Sequence, residues 1–444
     1  MLMKNMIKRV LTLITAMALV LAGLNIADPV KASAADPSGK KIVVSLGDSY
    51  SSGEGIEPFF GQDKPMKERV EDEDWLAHRS QKAWSGMLKV DGQKMVKDDN
   101  WFFAASSGAE TIHLYESQNK KYDKNGVSGE KGLAPQLEIF DKVEKLYGAG
   151  AVDFVTLSMG GNDVGFGSIM RAALMDPANL EANLNEIWSR LTEEHTENGK
   201  TVPSIKDAIK QNYKDIEEKA GKQAAIIVAG YPTLFNAEGF SVVMYNVSAE
   251  TAETVNTWTS KLNEEIRSIV EECKKEGMNI YFVSVEDAFK GHEAYTKDAY
   301  INPVMIGSQN QDLTGDMISA YSIHPNVTGA KAYAKEVQKV IDSLSKSENT
   351  DNTEKTTTAK KPELTATSKK GKITLKWTKV EGATKYRVVE YVNGKAKTVK
   401  TTKKTSLSIS KRTKGNEYTF AVKAYVNKKW TKIKAADKKT VTVK

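Results

Sequence analysis

Between residues 41 and 344, short apolar runs alternate with longer stretches of helical period. The runs are residues 42–46, 101–105, 152–157, 224–229 and 279–285. Each is brief and almost continuously apolar, as a strand covered on both faces requires. Helix-period stretches lie at 81–90, 135–147, 204–220 and 251–276. This alternation predicts a parallel sheet with helices on both faces. Residues 168–222 exceed what one crossover needs, so they predict extra helices forming a lid or rim over a site. A closing helix is marked by Ala330, Tyr333, Ala334, Val337, Val340, Ile341 and Leu344, which form one apolar stripe.

The texture changes after residue 344. Residues 345–361 (SKSENTDNTEKTTTAKK) lack periodicity and aromatic side chains, which predicts a flexible linker. Beyond them, residues 373–377, 385–391, 406–409, 418–425 and 440–443 alternate at period two. Gly371, Gly382, Asn393-Gly394 and Gly415-Asn416 punctuate these runs. Short alternating strands with regular turns predict a small antiparallel sandwich. Its G-x-I-x-L-x-W run ending at Trp377, V-x-G-A-x-x-Y turn into Tyr386 and G-x-x-Y-x-F-x-V-x-A-Y run ending at Tyr425 resemble a fibronectin type III domain. The resemblance covers nearly all of 362–444.

Charge sharpens this division. The 444 residues include 64 Lys plus Arg and 57 Asp plus Glu, a net of +7. Residues 362–444 hold 23 basic and 5 acidic side chains, a net of +18. That leaves 41 basic and 52 acidic residues in the other 361, a net of −11. The first 34 residues read as a secretory signal peptide. Lys4, Lys8 and Arg9 precede an apolar stretch over 10–24, and Ala32-Ser33-Ala34 supplies a small-x-small cleavage pattern. Removing that segment leaves −14 on residues 35–361. The expected product is secreted and extracellular, with surface association open to it, and with no transmembrane segment after cleavage. A single cysteine, Cys273, excludes a disulfide framework within the chain. The expected domains are thus 1–34, 35–344, 345–361 and 362–444.

Three strand ends and one turn before the closing helix carry candidate chemistry. Gly47-Asp48-Ser49-Tyr50 follows the first apolar run. A serine there is exposed where α/β folds bind ligands, but its hydroxyl needs a base within hydrogen-bond reach to act as a nucleophile. Ser106-Ser107-Gly108-Ala109 offers a glycine whose backbone N–H can donate. Gly160-Gly161-Asn162-Asp163 adds an amide able to donate to a developing oxyanion. His324, in His324-Pro325-Asn326-Val327-Thr328-Gly329, stands just before the closing helix. Each piece alone is also ordinary turn or helix-start chemistry.

In this order, the four pieces resemble the SGNH subgroup of the GDSL lipase/esterase family over residues 41–342. The resemblance implies a flavodoxin-like three-layer α/β/α domain that hydrolyses carboxylic esters through an acyl-enzyme. Ser49 would be the nucleophile and His324 its base. The N–H groups of Ser49 and Gly108, with the Asn162 amide, would form the oxyanion hole. The family commonly places Asp three residues before the histidine, where this chain has Tyr321. A backbone carbonyl, of Tyr321 or Ser322, is therefore expected to orient the imidazole in preference to a distant carboxylate such as Asp287. No cofactor or metal is expected. His78 stands in a segment resembling secreted actinobacterial-type members, where it could line the site or be purely structural.

An acyl ester is the expected substrate, with lipid acyl groups and acetylated polysaccharide both open. The +18 terminal region suggests an anionic cell-wall or polysaccharide partner, and export disfavours nucleic acid. A non-catalytic surface-binding protein with a hydrolase-like head competes, but the intact Ser49, Asn162 and His324 speak against it.

Overall fold

The computed structural model describes residues 39–197, 200–243, 245–354, 362–380, 382–392, 395–426, 429–431, 433 and 437–444. The expected signal peptide lies outside these residues. The chain divides into two units, one reaching to Val340 and the other running from Ile341 to Lys444.

The first unit is built on five strands: β1 (Ile42–Ser45), β2 (Trp101–Phe103), β3 (Val152–Leu157), β4 (Ala225–Ala229) and β5 (Ile280–Val283). They lie in the order β5-β4-β3-β1-β2, and every pairing is parallel. This is the flavodoxin-like order. In the middle of the sheet, Val44 pairs with Phe102 on one side and Val155 on the other. Side chains such as Ile42, Val43, Val44, Ile226 and Ile227 are completely buried, which explains the unbroken apolar runs.

Seven main helices accompany the strands: α1 (Ser49–Ser52), α2 (Ile139–Tyr147), α3 (Phe166–Met175), α4 (Leu180–Thr192), α5 (Ile205–Ala220), α6 (Ala249–Lys275) and α7 (Val327–Glu354). Ser204 and Ser248 cap α5 and α6, each accepting from a backbone N–H three residues on. The buried stripe of α6 includes Val255, Leu262, Ile266 and Ile269, at the spacing that turns one helical face to the core. Residues 168–222 supply α3, α4 and α5, as their pattern predicted. α7 continues to Glu354, so the segment expected as a linker starts as helix. No Gly or Pro interrupts 345–354 to stop it.

One local expectation fails, and one element carries no expectation. Residues 81–90 form only a 3₁₀ turn, Trp84–Met87, followed by the two-residue strand Lys89–Val90. The buried Trp84 indole donates to the Tyr50 carbonyl at 3.0 Å, and this tertiary anchor overrides the helical period. A hairpin of Gln118–Lys124 and Val127–Leu133 was not foreseen, because its alternation is mostly polar. Its turn is Asn125-Gly126, both at positive φ (51° and 73°), the conformation a two-residue hairpin turn demands.

The second unit is an all-β, fibronectin type III-like domain. One antiparallel sheet joins β6 (Leu364–Lys369), β7 (Lys372–Trp377) and β10 (Ser406–Ile409). The other contains β8 (Lys385–Val392), β9 (Lys395–Thr402), β11 (Glu417–Val426) and β12 (Lys439–Thr442), with β9 at its edge. Leu364, Ile373, Leu375, Trp377, Phe420 and Val422 belong to the core between them. The Tyr386 hydroxyl accepts from the Val380 N–H at 2.9 Å and closes the turn ahead of β8.

Candidate active site

The site forms at the carboxyl ends of β1, β2 and β3, where the strand order reverses and an open parallel sheet leaves a crevice. The chain leaves β1 through Gly47, whose φ is +115°. A Cβ at Gly47 would lie 2.3 Å from the Ser158 carbonyl oxygen, so only glycine fits. The Gln136 amide clasps this residue, accepting from its N–H at 2.7 Å and donating to its carbonyl at 2.9 Å. Asp48 then caps α1 by accepting from the Tyr50 N–H.

Asp48 also ties the turn to its neighbours. Its carboxylate accepts from the Ser158 hydroxyl at 2.6 Å and from the Tyr231 hydroxyl at 2.5 Å. Burial pushes this acid up to about 6, against the pull of those hydrogen bonds. Ser49 is therefore the first residue of a short helix pinned, through Asp48, to the ends of β3 and β4.

Ser49 Oγ lies 2.7 Å from His324 Nε2. On the far side of the ring, Nδ1 lies 3.0 Å from the Ser322 carbonyl oxygen. That carbonyl can only accept, so Nδ1 carries the proton and Nε2 presents a lone pair to the serine. Burial lowers the pKa of His324, and the charge of Glu54 opposes the shift. Ser49 and His324 are 7% and 8% exposed, which leaves a small opening over the pair.

The histidine loop is held under constraint. Ile323 has φ +57°, a left-handed conformation unfavourable for a β-branched residue. The buried Tyr50 hydroxyl donates to its carbonyl at 2.7 Å, and the Ile323 N–H donates to Asn302 at 3.2 Å. Of the two carbonyls expected to orient the imidazole, Ser322 does so and Tyr321 does not. The Tyr321 carbonyl instead accepts from the Asn302 amide at 3.4 Å, because the left-handed turn at Ile323 brings residue 322 back toward the ring. Asp287 is exposed on the short helix Glu286–Phe289.

Gly108 follows β2 with φ +71°. Among the described residues, the N–H groups of Ser49 and Gly108 donate to no protein acceptor. Asn162 is half-buried, and its Nδ2 donates to the Ala109 carbonyl at 2.9 Å, which fixes the amide plane and leaves a second hydrogen free to donate. These are the donors an oxyanion would need.

His78 lines a cavity of about 210 Å³ together with Gly108, Lys120 and Asp312, a cavity that Ser49 and His324 do not line. It is also structurally engaged, with Nδ1 2.7 Å from Glu54 Oε2 and Nε2 3.0 Å from the Gln311 carbonyl. The two ring nitrogens thus face two acceptors, which fixes the ring between Glu54 and the loop at Gln311. Burial alone would raise Glu54, but the His78 charge overrides it and holds the acid down at about 2. Phe59 stacks on the ring at 4.5 Å.

Apolar surface flanks the site. Phe166, at the head of α3, stands 6.4 Å from the His324 ring, centroid to centroid. The turn Thr111–Leu114 follows Gly108-Ala109 and presents the exposed Ile112, which with Tyr115, Pro203 and Ala208 lines a mostly apolar cavity of about 380 Å³. Among the described residues, no cluster of His, Cys, Asp and Glu is placed to hold a metal. None of the described helices is long and apolar enough to cross a membrane.

Sequence reasoning did not single out Asp48, Glu54, Gln136 or Tyr231. Only the first two carried a signal, an acid beside the strand-end serine and another between two glycines.

The profile of the family described as GDSL-like Lipase/Acylhydrolase matches residues 43–337. That of a PBP1-like, fibronectin3-like domain matches residues 363–433. A curated relative, Lipase 1 of Streptomyces coelicolor, is 23% identical over 283 residues, covering 64% of this chain and 84% of its own. An extracellular lipase from Streptomyces rimosus is 21% identical with a TM-score of 0.47, covering 68% of this chain and 99% of its own. A phospholipase A1 from Streptomyces albidoflavus is also 21% identical, with a TM-score of 0.44 and the same two coverages.

Proposed function

We propose, for a chain that belongs to the GDSL-like lipase/acylhydrolase family and is a carboxylic ester hydrolase, that Ser49 is the nucleophile and His324 its base. One observation carries this reading. Ser49 Oγ is 2.7 Å from the imidazole nitrogen left basic by the Ser322 carbonyl. Ser49 Oγ attacks the ester carbonyl carbon as its proton passes to His324 Nε2. The oxyanion is held by the N–H groups of Ser49 and Gly108 and by the Asn162 amide, each such donor typically worth about 3–4 kcal/mol of transition-state stabilisation. Collapse expels the alkoxide, which takes the proton from His324, and water then repeats the sequence to release the acid.

The substrate class we favour is the acyl ester of a lipid. The apolar cavity beside Ile112 and Tyr115 and the ring of Phe166 suit an acyl chain better than an acetyl group on a sugar. The lipase named as a curated relative agrees with this choice. Secretion belongs to the same proposal and rests on the pattern of residues 1–34. So does contact between the basic terminal unit and an anionic cell-wall polymer, which rests on its +18.

Hydrolysis of a series of esters from acetyl to palmitoyl, with acetylated xylan alongside, tests the substrate class. Rates that rise with chain length support the lipid reading. A preference for acetylated xylan establishes polysaccharide deacetylation instead. Ser49→Ala and His324→Ala are each expected to lower kcat by about a thousandfold or more.

A further inference from the structure

The unforeseen hairpin reaches into the site from the side of Gly108. Gln118 Nε2 donates to the Ser107 carbonyl oxygen at 2.9 Å, and Lys120 Nζ donates to the same oxygen. Gln118 is buried and is itself fixed, its Oε1 accepting from the Ser106 hydroxyl at 2.5 Å. The Ser107 N–H donates to the Ala77 carbonyl at 3.0 Å. The Ser107 carbonyl and the Gly108 N–H belong to one planar peptide unit, coupled by amide resonance. Two donors on the oxygen, one of them a cation, hold that plane and draw electron density toward the oxygen. The N–H at the other end becomes a more polar donor.

We propose that Gln118 and Lys120 are positioning residues that clamp and polarise the Ser107–Gly108 peptide, so that the Gly108 N–H meets the developing oxyanion pre-aligned. This rests on the reading of Gly108 as an oxyanion donor. An ordinary hairpin anchor would need neither two donors converging on one oxygen nor a partly desolvated cation next to the reacting group. Lys120 keeps part of its stem in solvent, yet burial around its ammonium lowers it to about 8. Glu54 opposes that shift and Arg79 adds to it, while His78, Lys121, Asp312 and Asp316 line the same cavity. The clamp therefore loses its charge in mildly alkaline solution, and kcat falls as pH rises through about 8.

The test is steady-state kinetics of the full chain on one soluble acyl ester from pH 6 to 10, with Lys120→Met, Lys120→Gln and Lys120→Arg. Lys120→Met is expected to lower kcat about tenfold, less than loss of an oxyanion donor itself, with KM within about twofold and no alkaline limb near pH 8. Lys120→Gln, which keeps a donor without the charge, falls between Met and wild type and also loses the limb. Lys120→Arg retains the rate and carries the limb to higher pH. Equal losses in all three variants with the limb retained, or a wild-type kcat in Lys120→Met, overturn the proposal. If Lys120→Met does not fold, the Gln and Arg pair decides on the same criteria. Full activity in Ser49→Ala would instead remove the reading beneath it, an outcome that the Lys120 variants cannot produce.

Discussion

The imidazole of His324 is oriented by the carbonyl oxygen of Ser322, 3.0 Å from Nδ1, with no carboxylate in that place. A carbonyl fixes the tautomer as well as an acid would, but it offers no full charge to a transient imidazolium. The exposed Asp287 is therefore expected to be dispensable. Asp287→Ala is expected to keep kcat/KM within about twofold of wild type, since a surface substitution away from the site perturbs little. An inactive but folded Asp287→Ala would place the third member elsewhere.

The same histidine is expected to set the acid side of the pH profile. Burial lowers its pKa, so the neutral, proton-accepting form persists below the ordinary value of 6.5. With His324 as the base, activity is expected to be lost as pH falls and the ring becomes protonated. The acid limb of kcat/KM for the free enzyme is expected below pH 6.5, as read from a full profile with a neutral substrate.

The Glu54–His78 pair makes stability pH-dependent. Glu54 is held at about 2 against an ordinary 4.5. Its contribution is therefore complete above pH 4.5 and is lost as pH falls toward 2. Glu54→Gln breaks the buried Glu54–His78 pair and is expected to cost about 3 kcal/mol. Urea unfolding at several pH values checks both statements, because the variant loses less between pH 4.5 and 2 than wild type does.

The edge strand β9 tests the basic unit. Lys395, Lys397 and Lys400 are exposed along it, and reversing all three to Glu removes much of the local positive field. Retention of the full chain on anionic wall polymer is expected to weaken steeply with salt and to be largely lost in the triple variant. Equal retention of both proteins at low salt would assign the lysines to keeping an open sheet edge unpaired.

The parts of this molecule legible in its sequence were those with strong local signals. Five apolar runs became the five sheet strands within two residues at each end, because burial on both faces leaves no polar positions to blur them. The turns that carry Ser49, Gly108, Asn162 and His324 are legible because each follows a strand or precedes a helix with glycine or Asx residues. The hairpin 118–133 was not, since its alternation is between polar side chains and its place is set by contacts to Ser107. Residues 81–90 misled for a similar reason, since a helical period there is overruled by the anchoring of Trp84. The choice between Tyr321 and Ser322 turned on the positive φ of Ile323, which no residue pattern announces. Asp48, Gln136 and Tyr231 matter through buried hydrogen bonds to partners distant in sequence, and those emerge only once the chain is folded around β1.

Whether Ser49 is the nucleophile can be read directly as a covalent bond. The full chain is treated with a fluorophosphonate, its intact mass is measured, and the modified peptide is mapped. One adduct on Ser49, formed in step with loss of esterase activity and absent from Ser49→Ala, is the result predicted. An adduct on another residue, or a Ser49→Ala variant that still labels and still hydrolyses esters, would contradict it.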